Sequence, residues 1–273
     1  MKRITVFSYI IVIITVIIYG VPIFWIIVSS FKPLEQSLIG YGVAQILFLF
    51  RPTLDAYNRI FFEQQFARYV INSLIVSSSS VGLSIIIGAP AAYTIARIKD
   101  KVTRNISVWM VSTRLMPPFT VALPFFVMMN SLGLSDTVIA LIIVYLTFNL
   151  PFIVWVMRGY FEEIPPEIEK AARIDGCARF ETLMKVLLPL SKPAMISGGV
   201  ISFLLSWNEF LFAFILTSTQ ARTVTVHIAN AVGLVVIDWP AMTAMSTITI
   251  IPSLIFITIA QKQIIRRLTV KAW

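Results

Sequence analysis

The chain has few side chains able to do covalent chemistry. Its single histidine, His227, and single cysteine, Cys177, cannot build a Ser/His/Asp or Cys/His set, because the span assignment below puts them on opposite sides of a membrane. One histidine also excludes a histidine metal cluster, and one cysteine excludes an internal disulfide. None of the 11 glycines is followed by lysine, so there is no phosphate-binding loop of the G-x4-G-K-[S/T] type. We therefore expect no enzyme, no cofactor and no bound metal. Any ATP chemistry that drives this chain must sit on a partner.

The chemistry that remains is polar side chains inside apolar stretches. Glu209 lies near one end of such a stretch, where an acid is costly unless it faces water or a partner. Ser202, Ser206 and Glu209 follow i, i+4, i+7 spacing, and with Asn208 and Asn149 they form a candidate solute path. The alternative is a structural acid that caps a helix or pairs with an arginine. Arg114 lies beside Pro117 and Pro118, which should break a helix and free carbonyls that an arginine can satisfy. A structural or gating role is expected for these three. Ser73, Ser77, Ser80, Ser84 and Gly88 form a small-residue stripe, read as close helix packing rather than as a channel wall.

The elements that must position these residues are membrane helices. Hydrophobic residues make up 58% of the 273 and charged residues 13%, about half the share of a soluble domain. Six segments reach the roughly 20 apolar residues needed to cross a bilayer. They are about 4–31, 70–96, 106–130, 137–158, 193–216 and 241–261. The first run is too long for a cleaved signal peptide and reads as an uncleaved span. With the N-terminus inside, 16 lysines and arginines fall on the inner side and 5 on the outer, with Arg114 within the membrane. That bias predicts six spans, with both termini cytoplasmic. It also accounts for the net charge of +9 without a nucleic-acid partner. The expected fold is a single all-α integral membrane domain, residues 1–273.

The inner connection 162–192 carries the most local information. Pro165 and Pro166 pre-set a first helical turn, and Glu167 and Glu169 suit its positive end. Gly176 supplies a left-handed stop. Ile168, Ala171, Ala172 and Asp175 repeat at i, i+3, i+4, i+7, and Phe180, Leu183, Met184 and Leu187 do so again before Pro189. Two short helices hinged at glycine suit either docking into a partner or lying on lipid headgroups.

The segment resembles the EAA loop of ABC importer permeases, with the pattern E-A-A-x3-G-x9-I-x-L-P. Ala171, Ala172 and Gly176 match, and Val186, Leu188 and Pro189 occupy the I-x-L-P positions. Lys170 stands at the glutamate position, with Glu169 one residue earlier. Pro52-Thr53-Leu54-Asp55-Ala56-Tyr57, Ile71-Asn72-Ser73-Leu74, Arg114-Leu115-Met116-Pro117-Pro118 and Ser206-Trp207-Asn208-Glu209-Phe210 are similar to stretches of maltose- and trehalose-type carbohydrate permeases. The resemblance implies a multi-pass inner-membrane subunit of a binding-protein-dependent importer for a sugar, with glycerol phosphate or a polyol as alternative solutes. It makes the loop a cytoplasmic coupling helix between spans 4 and 5, with Glu169, Lys170, Ala171, Ala172, Asp175, Gly176 and Pro189 at the docking site. The partners it implies are an ATP-binding subunit dimer, a second and non-identical permease, a periplasmic or lipid-anchored binding protein, and membrane lipid. An ion-coupled secondary transporter is the competing class, but one intramembrane acid and no internal repeat speak against it.

Overall fold

A computed structural model describes residues 6–35, 50–231 and 238–270. Among them there are helices and no strands. The expectations placed on Lys2, Arg3, Lys271 and the rest of the last three residues lie outside the described residues. The chain falls into two compact units, residues 1–68 with 227–251, and 69–226 with 252–273.

The first unit contains α1 (Val6–Ser29), α2 (Asp55–Asn58), a π-helical turn (Arg59–Glu63) and the start of the last helix. From Tyr9 to Val28 no residue of α1 is buried within the chain. Its C-terminal end is fastened: the Tyr57 and Ser30 hydroxyls lie 2.8 Å apart, and the Thr53 amide donates to the Phe31 carbonyl at 2.8 Å. Within Pro52–Tyr57 a short helix begins at Asp55, whose amide donates to Thr53 Oγ1. Arg59 donates to both carboxylate oxygens of Asp238, at 3.1 and 3.0 Å. Asp238 Oδ1 also accepts the Ala241 amide in the first turn of the last helix. His227, the lone histidine, packs against Phe66 with ring centroids 5.9 Å apart.

The second unit is built on α3 (Phe66–Arg97), α4 (Lys101–Thr113), α5 (Pro118–Ser131) and α6 (Val138–Glu163). The inner loop follows as α7 (Pro166–Ile174), α8 (Arg179–Thr182), a second π turn (Leu183–Leu187) and α9 (Leu188–Leu190). The chain continues as α10 (Lys192–Trp207), α11 (Leu211–Leu216), α12 (Val224–Asn230) and α13 (Trp239–Val270). Helix α6 is central, packing against α4, α10 and α11. Its N-cap is Thr137, which accepts the Ala140 amide at 3.2 Å. Asp100 caps α4 by accepting the Thr103 amide at 2.8 Å.

Among the described residues four single helices are long and apolar enough to cross a membrane, Ser8–Ser29, Phe66–Arg97, Val138–Glu163 and Trp239–Ile259. The other two expected spans are not single helices. The one placed at 106–130 is α4 and α5, meeting at 95°. Pro117 and Pro118 cannot donate to preceding carbonyls, so the first helix ends and Pro118 opens the second. The one placed at 193–216 is α10 and α11, interrupted at Asn208–Phe210. Upstream, α9 meets α10 at a 74° bend at Ser191, two residues beyond the expected stop at Pro189. The helix tolerates Pro189 by widening: the Leu188 amide bonds five residues back, to Leu183.

Ser73, Ser77, Ser80 and Ser84 are all buried, as expected of a packing stripe. At Gly88 a Cβ would stand 3.1 Å from Ile153 and 3.3 Å from Leu150 and Val154 of α6. Gly88→Ala should be close to neutral in thermal unfolding, because about 1 kcal/mol of helix propensity offsets a contact that side chains can relax. Gly88→Leu should cost about 3 kcal/mol, since it separates two backbones.

Candidate functional site

The inner loop is held to the helix bundle at both ends. Arg97, at the end of α3, forms an ion pair through Nε with the Glu169 carboxylate of α7. Its Nη2 donates to the Ile164 carbonyl at 3.1 Å. The Tyr93 hydroxyl, one turn earlier on α3, donates to the other Glu169 oxygen at 3.1 Å. At the far end Tyr160 of α6 donates to the Leu190 carbonyl, also at 3.1 Å. Both partners of the ion pair are mostly buried (20% and 15% side-chain exposure), which limits screening by water.

This staple fixes which face of α7 looks outward. Ala172 is buried and Ile168 packs on the core formed by α3, α6 and Leu187. Glu167, Lys170, Ala171 and Ile174 are exposed, again at i, i+3, i+4, i+7, and so are Pro166 and Arg173. Ile174 is 85% exposed. Of the residues expected at the docking site, Glu169 and Ala172 turn into this chain, as does Ile168, while Lys170 and Ala171 turn out. Asp175 and Gly176 are exposed at the tip, and Pro189 is exposed in α9.

Gly176 closes α7 as expected, at φ +91°. The Cys177 amide donates to Ala172 and the Gly176 amide to Arg173, at 3.0 and 3.1 Å. These are the two bonds of a Schellman termination. In the second helix the apolar stripe is divided. Leu183 and Leu187 are buried, whereas Phe180 and Met184 are exposed.

The polar residues expected on the solute path occupy two different settings. Asn149, Ser202 and Ser206 are buried in a seam between α3, α6 and α10. Asn149 Nδ2 donates to Ser206 at 2.7 Å and to Ser80 at 3.2 Å. Asn208 and Glu209 instead lie in the break between α10 and α11, so Glu209 does not continue the helical stripe of Ser202 and Ser206. Asn208 is exposed, its amide donating to the Leu204 carbonyl at 2.8 Å. The Glu209 carboxylate accepts the Phe212 and Ala213 amides at 2.9 and 3.1 Å, and the Tyr145 hydroxyl at 2.9 Å. It thus caps the first turn of α11, the structural role weighed for this acid. No pair forms between Glu209 and Arg114. Arg114 lies on the α4–α5 bend, its guanidinium 4.9 Å from the Phe152 ring centroid.

One organising residue was not expected. Asp136, in the turn between α5 and α6, adopts a left-handed backbone at φ +54°. Its carboxylate accepts the amides of Ser218, Thr219, Gln220 and Ala221 at 2.9–3.1 Å, and the hydroxyls of Ser218 and Thr219 at 2.8 and 3.3 Å. Burial opposes ionisation, but these amide donors outweigh it and hold the carboxyl well below the usual carboxylate range. Asn72 and Ser73 secure the same loop from α3. The Asn72 side chain donates to the Gln220 and Arg222 carbonyls, and Ser73 Oγ accepts the Val224 amide.

Residues 84–270 match the family described as binding-protein-dependent transport system inner membrane component. The trehalose/maltose transport system permease protein MalG of Thermococcus litoralis is 32% identical, the match covering 92% of this chain and 90% of that one. The trehalose transport system permease protein SugB of Mycobacterium tuberculosis is 31% identical, covering 91% and 90%. The sulfoquinovosyl glycerol transport system permease protein SmoH of Agrobacterium fabrum is 34% identical, covering 91% and 86%. A chain of a bacterial ABC transporter involved in the import of the acidic polysaccharide alginate superposes with a TM-score of 0.77 at 23% identity, over 94% of this chain and 98% of that one. An integral membrane chain with this fold, this loop and these relatives belongs to the family of binding-protein-dependent transport system inner membrane components.

Proposed function

We propose that the chain is one permease subunit of an ATP-driven sugar importer, forming half of the solute path and taking its drive from a separate ATPase. The observation that carries this is the two-sided α7. Its inner face is stapled to α3 through Glu169 and Arg97, while Glu167, Lys170, Ala171 and Ile174 stand exposed for a partner. ATPase movement at that outer face then reaches a membrane helix directly. The names of the relatives support a saccharide as solute: trehalose, maltose and sulfoquinovosyl glycerol. Alginate import by the structural neighbour points the same way, and a second solved alginate transporter is in complex with a pentasaccharide-bound periplasmic protein, which supports a binding-protein partner. The excess of basic residues on the inner side supports six spans with both termini cytoplasmic.

For the path itself we favour the α10–α11 break over the buried seam. There Asn208 is exposed, and the rings of Phe210 and Phe214 that follow it in the chain are exposed and stacked, with centroids 5.3 Å apart. An amide beside an aromatic face offers a sugar both hydroxyl contacts and a surface for its C–H groups. Asn149, Ser202 and Ser206 stay in the buried seam.

The test is uptake of labelled disaccharide in cells making this chain with its ATPase and binding protein. Arg97→Ala should lower uptake about tenfold without changing membrane insertion, and Arg97→Glu combined with Glu169→Arg should recover part of it. Uptake that persists without the ATPase would refute the importer reading. A charge reversal no better than the single variants would refute the staple.

A further inference from the structure

Arg114 carries a charge deep in the apolar part of the chain. Helix α4 packs along α6, with Ser107 accepting a hydrogen bond from Arg158 and, further on, the Arg114 guanidinium over the ring of Phe152. Phe152 lies six residues before Arg158, about 9 Å along the axis, and near the midpoint of the 26-residue α6. A charge at that depth is costly unless it meets water or an opposite charge. Among the described residues Arg114 forms no ion pair. The Phe152 ring attracts a cation without cancelling its charge.

The bend around Arg114 selects what supplies the anion. Residues 114–120 are all exposed, and Leu115 and Phe119 are 79% and 76% exposed. Leu115, Met116 and Phe119 give a saccharide no side chain to hydrogen-bond. Lipid tails would cover them but bring no counter-charge, and lipid headgroups lie at the surface, not at the midpoint of a span. A protein helix with one carboxylate among apolar residues meets both needs. A second copy of this chain does not. Among the described residues Glu209 is the one acid away from the ends of the candidate spans. It lies at the level of Tyr145, to which it is hydrogen-bonded, seven residues and about 10 Å along α6 from Phe152. Two copies inserted the same way keep their levels, so neither Glu209 reaches the other's Arg114.

We infer that the α4–α5 bend is where a second, different membrane subunit packs, presenting an aspartate or glutamate to Arg114 inside the bilayer. Leu115, Met116 and Phe119 supply the apolar contact around that pair, and Phe152 holds the guanidinium in place. This rests on reading the chain as one of two permease subunits, and adds where they meet and why the partner is not a copy.

Affinity purification of the tagged full chain from cells making the whole importer tests it, with the co-purified second permease quantified. Arg114→Leu should lower that permease about tenfold, and Arg114→Lys should keep most of it. Arg114→Glu should lose it, and changing one intramembrane acid of the partner to arginine should restore it. Thermal unfolding of the chain purified alone should be the same for Arg114→Leu as for the wild type. Full co-purification of the Leu and Glu variants would overturn the inference, and the importer reading survives if uptake still needs the ATPase. A wild-type chain that brings no second membrane subunit would overturn both. Destabilisation of the isolated Arg114→Leu chain, or failure of every partner charge reversal, would show a structural role instead. With assembly intact, a raised KM for labelled disaccharide in Arg114→Leu would overturn the inference in favour of solute contact. Weaker phosphatidylglycerol retention would do so in favour of lipid. Self-association of the isolated chain that Arg114→Leu abolishes would do so in favour of a second copy.

Discussion

Gly176→Val should abolish most uptake while the protein still inserts and folds, and Gly176→Asn should keep most of it. The reason is backbone geometry. A Cβ at Gly176 meets nothing within 4 Å, so the valine side chain has room. What it lacks is access to φ +91°, where a β-branched residue is strained by about 1–3 kcal/mol. Valine escapes by leaving the left-handed region, which breaks the Cys177–Ala172 and Gly176–Arg173 bonds and re-aims the tip carrying Ile174 and Asp175. A penalty of about 2 kcal/mol on the docked arrangement corresponds to roughly a 25-fold loss of its population. Asparagine tolerates the left-handed region and separates the two causes. If both variants lose uptake equally, bulk at the tip matters and backbone conformation does not. If both transport normally, the tip does not dock.

Asp136→Ala should lower the stability of the detergent-solubilised chain by about 2–4 kcal/mol, read as a shift of thermal unfolding. Four amides and two hydroxyls converge on one carboxylate, and bonds to a charged acceptor are the stronger kind. The loop is partly exposed, so water replaces some of what is lost, and the cost stays well below the sum of six such bonds. Asp136→Asn keeps one carbonyl acceptor and should fall between. The pH dependence has a definite sign. The folded carboxyl ionises below the unfolded one, so its stabilisation is fully present above the ordinary aspartate pKa, near 4. That stabilisation is lost as pH falls through the folded value. The wild-type chain should lose stability faster than Asp136→Asn on acidification below about pH 4. Parallel acid profiles would show that the carboxylate does not organise this loop.

Much of the fold was legible because lipid imposes a coarse rule that composition satisfies directly. Long apolar runs at α1, α3, α6 and α13 had one solution each. The two broken spans were harder. Pro117 and Pro118 announced a break, but nothing in the sequence sets the angle between α4 and α5. At Asn208–Phe210 no proline or glycine marks the interruption, and the helical spacing of Ser202, Ser206 and Glu209 runs straight through it. Gly176 and its termination were readable because a left-handed stop has a local cause. The orientation of α7 was not readable. Its two candidate faces differ by one residue, and Arg97, distant in sequence, decides between them through Glu169. Asp136 was missed for the same reason, since its six donors lie about eighty residues downstream.

The staples at the two ends of the inner loop have a mechanical consequence. A loop anchored only by its chain would absorb a push at its tip by flexing. This one is pinned at entry by Arg97 and Glu169 and at exit by Tyr160 and Leu190. Its compliance is confined to the tip. Force applied there leaves through two stiff struts, α3 and α6, so displacement at the tip becomes rotation of helices rather than bending of the loop.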